Sequence, residues 1–386
     1  MVLQKDITFI YSDSAEKAIY GPLIEEAERR GYKVKLTDDP FAKCEIGFYC
    51  QHINFPQFSK FSLIMLHDII QQYGNWPDIW MNEPWNKYDI GILPSDQWVH
   101  NWQEASHAYY ARPRLGIYKI GWPKADAICK LEGKHYRKSF NEKYGLDDSK
   151  KTVLYAPAWE NDNKQDDFVQ AVITLGVNVI IKQWDADPVK FPDQVINVKR
   201  MKALHEQLDG VVILPPETNI FVAIAASDIL VSEESSTMCE AAMMGVPAIS
   251  VSDWLIPDVK PSRFPKCDYD FVYMTTKDKL HDKVQELLEH YDDYKKQTEL
   301  FAANNFANIG KSTKMIMDIL DDIMANTKVR YDKLQPKELK TLPLNKYVKH
   351  NLISLRRECA LNYAVRYRIF GYFWNAIRCL KRLLHS

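Results

Sequence analysis

The chain has 386 residues, 46% hydrophobic and 26% charged, with 21 Tyr and 10 Trp; that is long for a single core and too aromatic for a disordered chain, so two globular domains are expected. The net charge of −1 is unevenly spread: residues 341–386 carry nine Lys/Arg against the single acid Glu358, which leaves about −9 on the first 340 residues. An acidic body of this kind argues against nucleic-acid binding, and the basic end calls for an anionic partner.

In chain order, "DITFIYSDSAEKAIYGPLIEEAERRGYKVKLTDD" predicts a strand at Ile7–Tyr11, a helix ending at Arg30-Gly31 and a second strand at Lys33–Leu36. "CEIGFYC", "FSLIMLHD" and "DIGILPS" follow as compact apolar runs with polar ends. Short apolar runs separated by helices predict a parallel sheet covered on both faces. Near residue 145, "RKSFNEKYGLDDSKK" is charged, helical and then turn-like, and places a domain boundary at 140–150. The rhythm then restarts. Strands are expected in "TVLYAPAW" (152–159), "NVIIKQW" (178–184), "VVIL" (211–214), "DILVS" (228–232) and "VPAISV" (246–251), with helices at 164–175, around 200–208, at 219–225 and at 237–244. A long helical segment, 276–325, closes this half, and "KLQPKELKTLPLNK" reads as a linker. The predicted fold is α/β, with doubly wound domains at 1–145 and 146–330 and a linker plus basic helical tail at 331–386.

Tandem domains of this type hold ligands between them, at the carboxyl ends of strands. The richest strand end is Ser232-Glu233-Glu234-Ser235-Ser236-Thr237. Hydroxyls and free N–H groups there suit phosphate oxygens, while Thr237 with Glu240 also reads as a capping box; the cap leaves Glu233, Glu234, Ser235 and Ser236 unexplained. Trp159, after "TVLYAPA", either stacks on a ligand or covers the domain. His67, with Asp68 beside it, ends a strand of the first half as a candidate general base. Lys124, in Gly121-Trp-Pro-Lys-Ala-Asp126, either meets a phosphate or sits in an ordinary turn. Gly310-Lys311-Ser312-Thr313 imitates a P-loop, but Asn305 stands where that motif needs glycine, and the segment reads as a helix start. The seven cysteines show no zinc spacing, the Met-Val-Leu-Gln-Lys start shows no signal-peptide pattern, and no apolar run reaches membrane-spanning length. Together these predict a cytoplasmic protein with reduced thiols.

The order His67-Asp68, Gly121-Trp-Pro-Lys-Ala-Asp126, Tyr155-Ala-Pro-Ala-Trp159 and Ser227-Asp228-Ile-Leu-Val-Ser-Glu-Glu-Ser-Ser236 resembles the CDP-glycerol glycerophosphotransferase family, which includes teichoic-acid polymerases and primases. The resemblance runs over roughly 60–320. It implies a GT-B fold, two Rossmann-like domains facing a cleft. It also implies His67 as the base, Ser235 and Ser236 at the donor phosphates, Glu233 or Glu240 at the ribose, and Lys124 in place of the family's arginine. Leu66-His67-Asp68 replaces the family's Trp-His-Gly. Trp184-Asp185 replaces a His-Pro, which removes a second histidine. By the same resemblance, the activity is transfer of a glycerophosphate-like or glycosyl group from a CDP- or CMP-linked donor, with no cofactor and no metal. The acceptor is a lipid-linked or cell-envelope polymer.

In "RYRIFGYFWNAIRCLKRLLHS", Ile369, Phe370, Phe373, Trp374, Ile377, Leu380 and Leu384 share one helical face opposite Arg368, Arg378 and Arg382. This pattern predicts a helix lying on an anionic membrane, on the inner face of the cell membrane. A helix packed back on the first domain is the other reading. The alternatives for the whole chain are a UDP-sugar glycosyltransferase, a nucleotide-sugar 2-epimerase-like enzyme, and an inactive GT-B scaffold.

Overall fold

The computed structural model describes residues 3–12, 14–51, 54–69, 78–131, 134–233, 235–256 and 271–337. In the first half, β1 (Asp6–Ile10), α1 (Ser14–Arg29), β2 (Lys33–Thr37), β3 (Cys44–Cys50), β4 (Ser59–Met65), β5 (Ile90–Leu93), α2 (Asp96–Ala105) and β6 (Gly116–Lys119) follow one another. The strands form one sheet of order β2-β1-β3-β4-β5-β6, with every neighbouring pair parallel. Both faces of β1 and β3 are buried, with Ile7, Phe9, Ile46 and Phe48 on one and Ile10 and Tyr49 on the other, which explains why these strands read as continuous apolar runs. One face packs on a cluster of Trp80, Trp85, Trp98, Trp102 and Tyr88, which absorbs much of the aromatic excess.

The helix α3 (Lys134–Tyr144) leads to the second half: β7 (Thr152–Tyr155), α4 (Lys164–Val172), β8 (Asn178–Lys182), α5 (Pro192–His205), β9 (Val211–Leu214), α6 (Ile220–Ala225), β10 (Ile229–Ser232), α7 (Thr237–Met243), β11 (Ala248–Val251) and β12 (Val272–Thr275). Its sheet has the order β12-β11-β10-β7-β8-β9 and is also parallel throughout. Two features differ from the sequence reading. The sixth strand, β12, was not anticipated. The helix expected around 200–208 begins at Pro192, whose fixed φ and missing N–H suit a first helical position.

The stretch expected as one helical segment, 276–325, is three helices: α8 (Leu280–Glu289), α9 (Tyr291–Asn305) and α10 (Ser312–Met324). Although α10 falls within 146–330, it packs against α1 of the first half. Asp126 accepts hydrogen bonds from the Ser312 N–H (3.1 Å) and Thr313 N–H (2.6 Å), capping α10. The P-loop-like Gly-Lys-Ser-Thr is therefore this helix start. Arg30, just past the end of α1, reaches Asp318 at 2.8 Å, Asp321 at 2.7 Å and the Lys314 carbonyl at 3.1 Å. Gly121 has φ +119°, and a Cβ there would lie 2.4 Å from the Ala307 carbonyl oxygen and the Ser312 hydroxyl, so glycine lets the returning chain approach. After α10 the chain stays on the first half: Leu334 N–H donates to the Ile117 carbonyl and Lys337 N–H to the Ser106 hydroxyl. The proposed membrane helix of residues 366–386 lies outside the described residues. No helix among the described residues is long and apolar enough to cross a membrane.

Replacing Asp126 with Ala leaves two N–H groups of α10 without their acceptor and is expected to cost about 1–2 kcal/mol. A lowered urea midpoint with unchanged slope is the expected readout, and Asp126→Asn, which keeps one acceptor oxygen, recovers part of the loss.

Candidate functional site

In the second sheet the chain moves from β7 outward to β8 and β9 on one side and to β10 on the other, so the topological switch point lies between β7 and β10. Residues 156–160 and 233–237 leave the sheet at this point. They are stitched together: Ser232 Oγ donates to the Ala156 carbonyl at 2.7 Å, and Thr237 Oγ1 donates to the same carbonyl at 3.3 Å. The Ser235 hydroxyl accepts from Thr237 N–H at 3.3 Å and bonds Thr237 Oγ1 at 3.0 Å. Ser235 is buried, while Ser236 and Thr237 are half-buried, so the turn offers hydroxyls at the crevice.

The expected capping box is absent from this geometry. The residue before α7 is Ser236, whose side chain makes no cap bond, and Glu240 is held elsewhere. Glu240, 1% exposed, receives the Lys124 ammonium on Oε1 at 2.6 Å, and its Oε2 is buried with no hydrogen-bond partner. Lys124 also lies 5.1 Å from the Trp122 ring centre. Two residues that sequence reading placed separately on a donor are thus partners, one from each half.

Glu233, the other residue expected at the ribose, is enclosed by partners of its own half. It is 1% exposed, accepts from the Trp159 N–H at 2.9 Å, and pairs with the fully buried Lys164 at 3.4 Å. Burial raises its carboxyl pKa, against the opposing pull of Lys164. Lys164 also donates to the Trp159 carbonyl at 3.0 Å; both backbone groups of Trp159 are therefore held by this buried pair. Glu234 lies outside the described residues. The Trp159 ring joins Trp184 (5.6 Å) and Phe191 (5.5 Å) in a half-buried aromatic cluster at the ends of β7 and β8. Below it, Glu160 accepts from the Tyr155 hydroxyl at 2.8 Å and from Gln183 Nε2 at 2.7 Å. Burial raises this carboxyl pKa as well. Asp228, at the opposite end of β10, is structural: it pairs with Arg137 and accepts from Thr152 N–H at 2.8 Å.

On the first half, His67 follows β4 in a bend with Asp68, and both are half-buried. His67 Nδ1 lies 2.9 Å from the Gln51 carbonyl. A carbonyl only accepts, so Nδ1 carries the proton and the neutral ring has its lone pair on Nε2. The preceding Leu66 carbonyl accepts from Trp122 Nε1 at 3.3 Å, two residues from Lys124. Ile69 and Cys239 of α7 line one small interhalf cavity of about 20 Å³. The His67 bend and α7 are thereby held in one neighbourhood. Sequence reading missed Lys182, the last residue of β8. Its ammonium donates to the Gln183 carbonyl (3.0 Å) and the Pro216 carbonyl (2.8 Å). Its position as the last residue of an apolar strand was the available signal.

The profile described as CDP-Glycerol:Poly(glycerophosphate) glycerophosphotransferase matches residues 78–321, more than half of the chain. No curated protein matches the sequence. The fold is similar to that of the wall teichoic acid polymerase TagF, at 14% identity over 83% of this chain and 89% of that one, with a TM-score of 0.58. It is similar also to a putative UDP-N-acetylglucosamine 2-epimerase from Listeria monocytogenes, at 14% identity over 86% of this chain and 100% of that one, with a TM-score of 0.59. A UDP-GlcNAc 2-epimerase from Neisseria meningitidis aligns at 14% identity over 82% of this chain and 100% of that one, with a TM-score of 0.56. At these identities the structural likeness establishes the GT-B architecture, two parallel sheets facing a crevice.

Removing the Lys124 ammonium alone strands a buried carboxylate. Lys124→Ala is expected to lose about 3 kcal/mol, and Lys124→Met with Glu240→Leu to recover most of it; a double-mutant cycle by denaturant unfolding reads the coupling. A second expectation concerns pH. With its folded pKa raised above the unfolded value, Glu160 adds stability below the unfolded pKa and loses it as pH rises through the folded pKa. Wild-type stability therefore falls relative to Glu160→Gln as pH rises above the ordinary glutamate value of about 4.3, and equal pH profiles would contradict this.

Proposed function

The chain belongs to the CDP-glycerol:poly(glycerophosphate) glycerophosphotransferase family, and from that premise we propose that it transfers glycerophosphate, or a closely similar group, from a CDP-linked donor to a cell-envelope polymer. The observation that carries this reading is the hydroxyl turn Ser235–Thr237 at the switch point, with the His67 bend held opposite through Trp122, Lys124 and Glu240. The donor pyrophosphate lies against the hydroxyls of Ser235, Ser236 and Thr237. Glu240 accepts from a ribose hydroxyl through the oxygen that Lys124 leaves unpaired. The rings of Trp159, Trp184 and Phe191 border the transferred group.

The acceptor hydroxyl enters from the first half. Its oxygen forms a bond to the donor's distal phosphorus while the bridging P–O bond breaks and CMP leaves with the electron pair. Nε2 of His67 takes the hydroxyl proton as the new bond forms. The Gln51 carbonyl supports this by keeping the other ring nitrogen protonated, and Asp68 adds negative charge beside the imidazolium that results. The basic segment 341–386 brings the acidic body to an anionic inner membrane surface, where a lipid-linked acceptor is presented.

Melting temperatures with CDP, CMP, UDP, UMP and GDP test the donor, because a ligand that binds only the folded state raises the melting temperature. Stabilisation by cytidine nucleotides is expected. A uridine-specific rise would move the reading to sugar transfer or epimerisation, and no rise with any nucleotide would favour an inactive scaffold. Replacing His67 with Ala should slow transfer from CDP-glycerol roughly 10²–10⁴-fold while the CDP-induced rise stays; unimpaired transfer would remove His67 from the mechanism.

A further inference from the structure

Residues 105–125 contain four Lys/Arg and no Asp or Glu, in a body that is otherwise acidic. This stretch includes β6, the edge strand of the first sheet. The chain returns to the same edge at 333–337. Leu334 N–H donates to the Ile117 carbonyl at 2.9 Å, and Lys337 N–H to the Ser106 hydroxyl at 2.9 Å. The Lys333 side chain lies along Gly116, where a Cβ would come within 2.4 Å of it. Arg112 Nε donates to the Ser106 carbonyl at 2.6 Å. Residues 106–117 and 333–337 therefore form one continuous surface. Arg114 pairs with Asp89 at 2.9 Å, and Lys337 pairs with Glu104. Arg112 and Lys333 make no ion pair among the described residues, and Asp332 is the remaining acid, exposed. Four cations thus stand against three acids, while the first 340 residues together carry about −9. On either side of the two arginines, Tyr109 is 72% exposed and Leu115 49% exposed. A single exposed apolar side chain is ordinary; a tyrosine and a leucine bracketing a basic, acid-free turn have the composition of a membrane-interface contact.

We propose that this edge, with Tyr109 and Leu115 as its apolar contacts and Arg112, Arg114 and Lys333 as its cations, docks the folded body on an anionic lipid surface. The proposal rests on the membrane part of the reading above, and it assigns a second contact on the body itself, apart from segment 341–386. Charge decides the occupant. Segment 341–386 carries nine Lys/Arg against one acid, so like charges oppose its folding over this edge. A second copy meeting the edge about a two-fold axis would set Arg112 and Arg114 against themselves. Anionic headgroups complement the cations, and tyrosine suits the boundary between headgroups and acyl chains. The basic segment begins four residues after Lys337, so both contacts can meet one bilayer. Docking here also orients the crevice. Roughly 15 Å of extended chain separates Gly116 from Gly121, where the segment that carries Trp122 and Lys124 begins. An acceptor hydroxyl held by a lipid therefore has to stand about that far from the headgroups to meet His67.

Co-sedimentation of the full chain with vesicles tests this, using phosphatidylcholine alone and phosphatidylcholine mixed with phosphatidylglycerol. Binding to the anionic vesicles is expected, and it should weaken with salt. Tyr109→Ser with Leu115→Ser should lower the binding constant roughly tenfold. Arg112→Gln with Lys333→Gln should lower it roughly tenfold at low salt, and by less at high salt. The first pair changes only exposed side chains, so it keeps the test valid if loss of the Arg112 bond to Ser106 disturbs the fold. Leu36→Ser with Phe41→Ser, two exposed side chains of the 36–41 stretch at the opposite, β2 edge, should leave binding unchanged. Hydrogen exchange on the full chain should show 107–116 protected by the anionic vesicles and 33–43 not. Vesicle binding that neither pair of edge substitutions weakens, with 107–116 unprotected, would overturn the docking edge and leave the basic segment as the membrane contact. An altered oligomeric state in the Tyr109–Leu115 variant, with vesicle binding unchanged, would make the edge a contact between copies and overturn the proposal. No binding of the wild type to either vesicle would overturn both the edge and the membrane reading, while the donor reading stands or falls on the nucleotide melting shifts.

Discussion

The ion pair between Lys124 and Glu240 is the contact on which the crevice depends. It joins a loop leaving the first sheet to a helix leaving the second, at 2.6 Å, with the acid 1% exposed. The residues around it serve the same junction. Trp122 ties the loop to the His67 bend, Gly121 admits the returning chain, and Asp126 caps α10, which Arg30 clamps onto α1. A six-residue segment thus sets where the two carboxyl edges stand relative to each other. A buried charge pair suits this task because its energy falls steeply if either partner is displaced.

Within the second half, polar groups at the switch point fall into two layers. The lower layer is enclosed: Glu233 with Lys164, and Glu160 with Tyr155 and Gln183. These groups hold the backbone of Trp159 and the β7 exit, and their carboxyls titrate high because they have lost water. The upper layer offers the hydroxyls of Ser235–Thr237, the aromatic cluster and the lysine ends. A loop leaving a buried parallel strand has unpaired backbone groups of its own. The buried carboxylates satisfy and position it so that the upper layer is free to meet a ligand.

Much of the architecture was legible. "CEIGFYC" and "VVIL" coincide with β3 and β9; in β3 the run is uninterrupted because the strand is buried on both faces from Ile46 onward. The strand "DILVS" and the hydroxyls after it were recognisable as a strand end facing a crevice, and the Asn305 mismatch correctly separated α10 from a phosphate loop. The tertiary partners of charged residues were not legible. Glu233 and Glu240 lie seven residues apart in one motif, yet one faces a lysine of its own half and the other a lysine of the opposite half. Lys182 is the polar end of a strand, and only its two carbonyl partners distinguish it. The single helical segment expected over 276–325 hid a change of partner, because periodicity reports an apolar face and not what covers it.

The amino-acid order by itself determined two parallel αβ units, the places where their strands end, and the family to which the chain belongs, since all three follow from local periodicity and motif order. The tertiary structure alone decided which charges meet: the crossing of α10 to the first sheet, the Lys124–Glu240 bridge and the inward turn of Glu233. The reason is physical. Apolar pattern is set by neighbours three or four residues away, whereas the energy of a buried charge is set by whatever group the fold brings within a few ångströms.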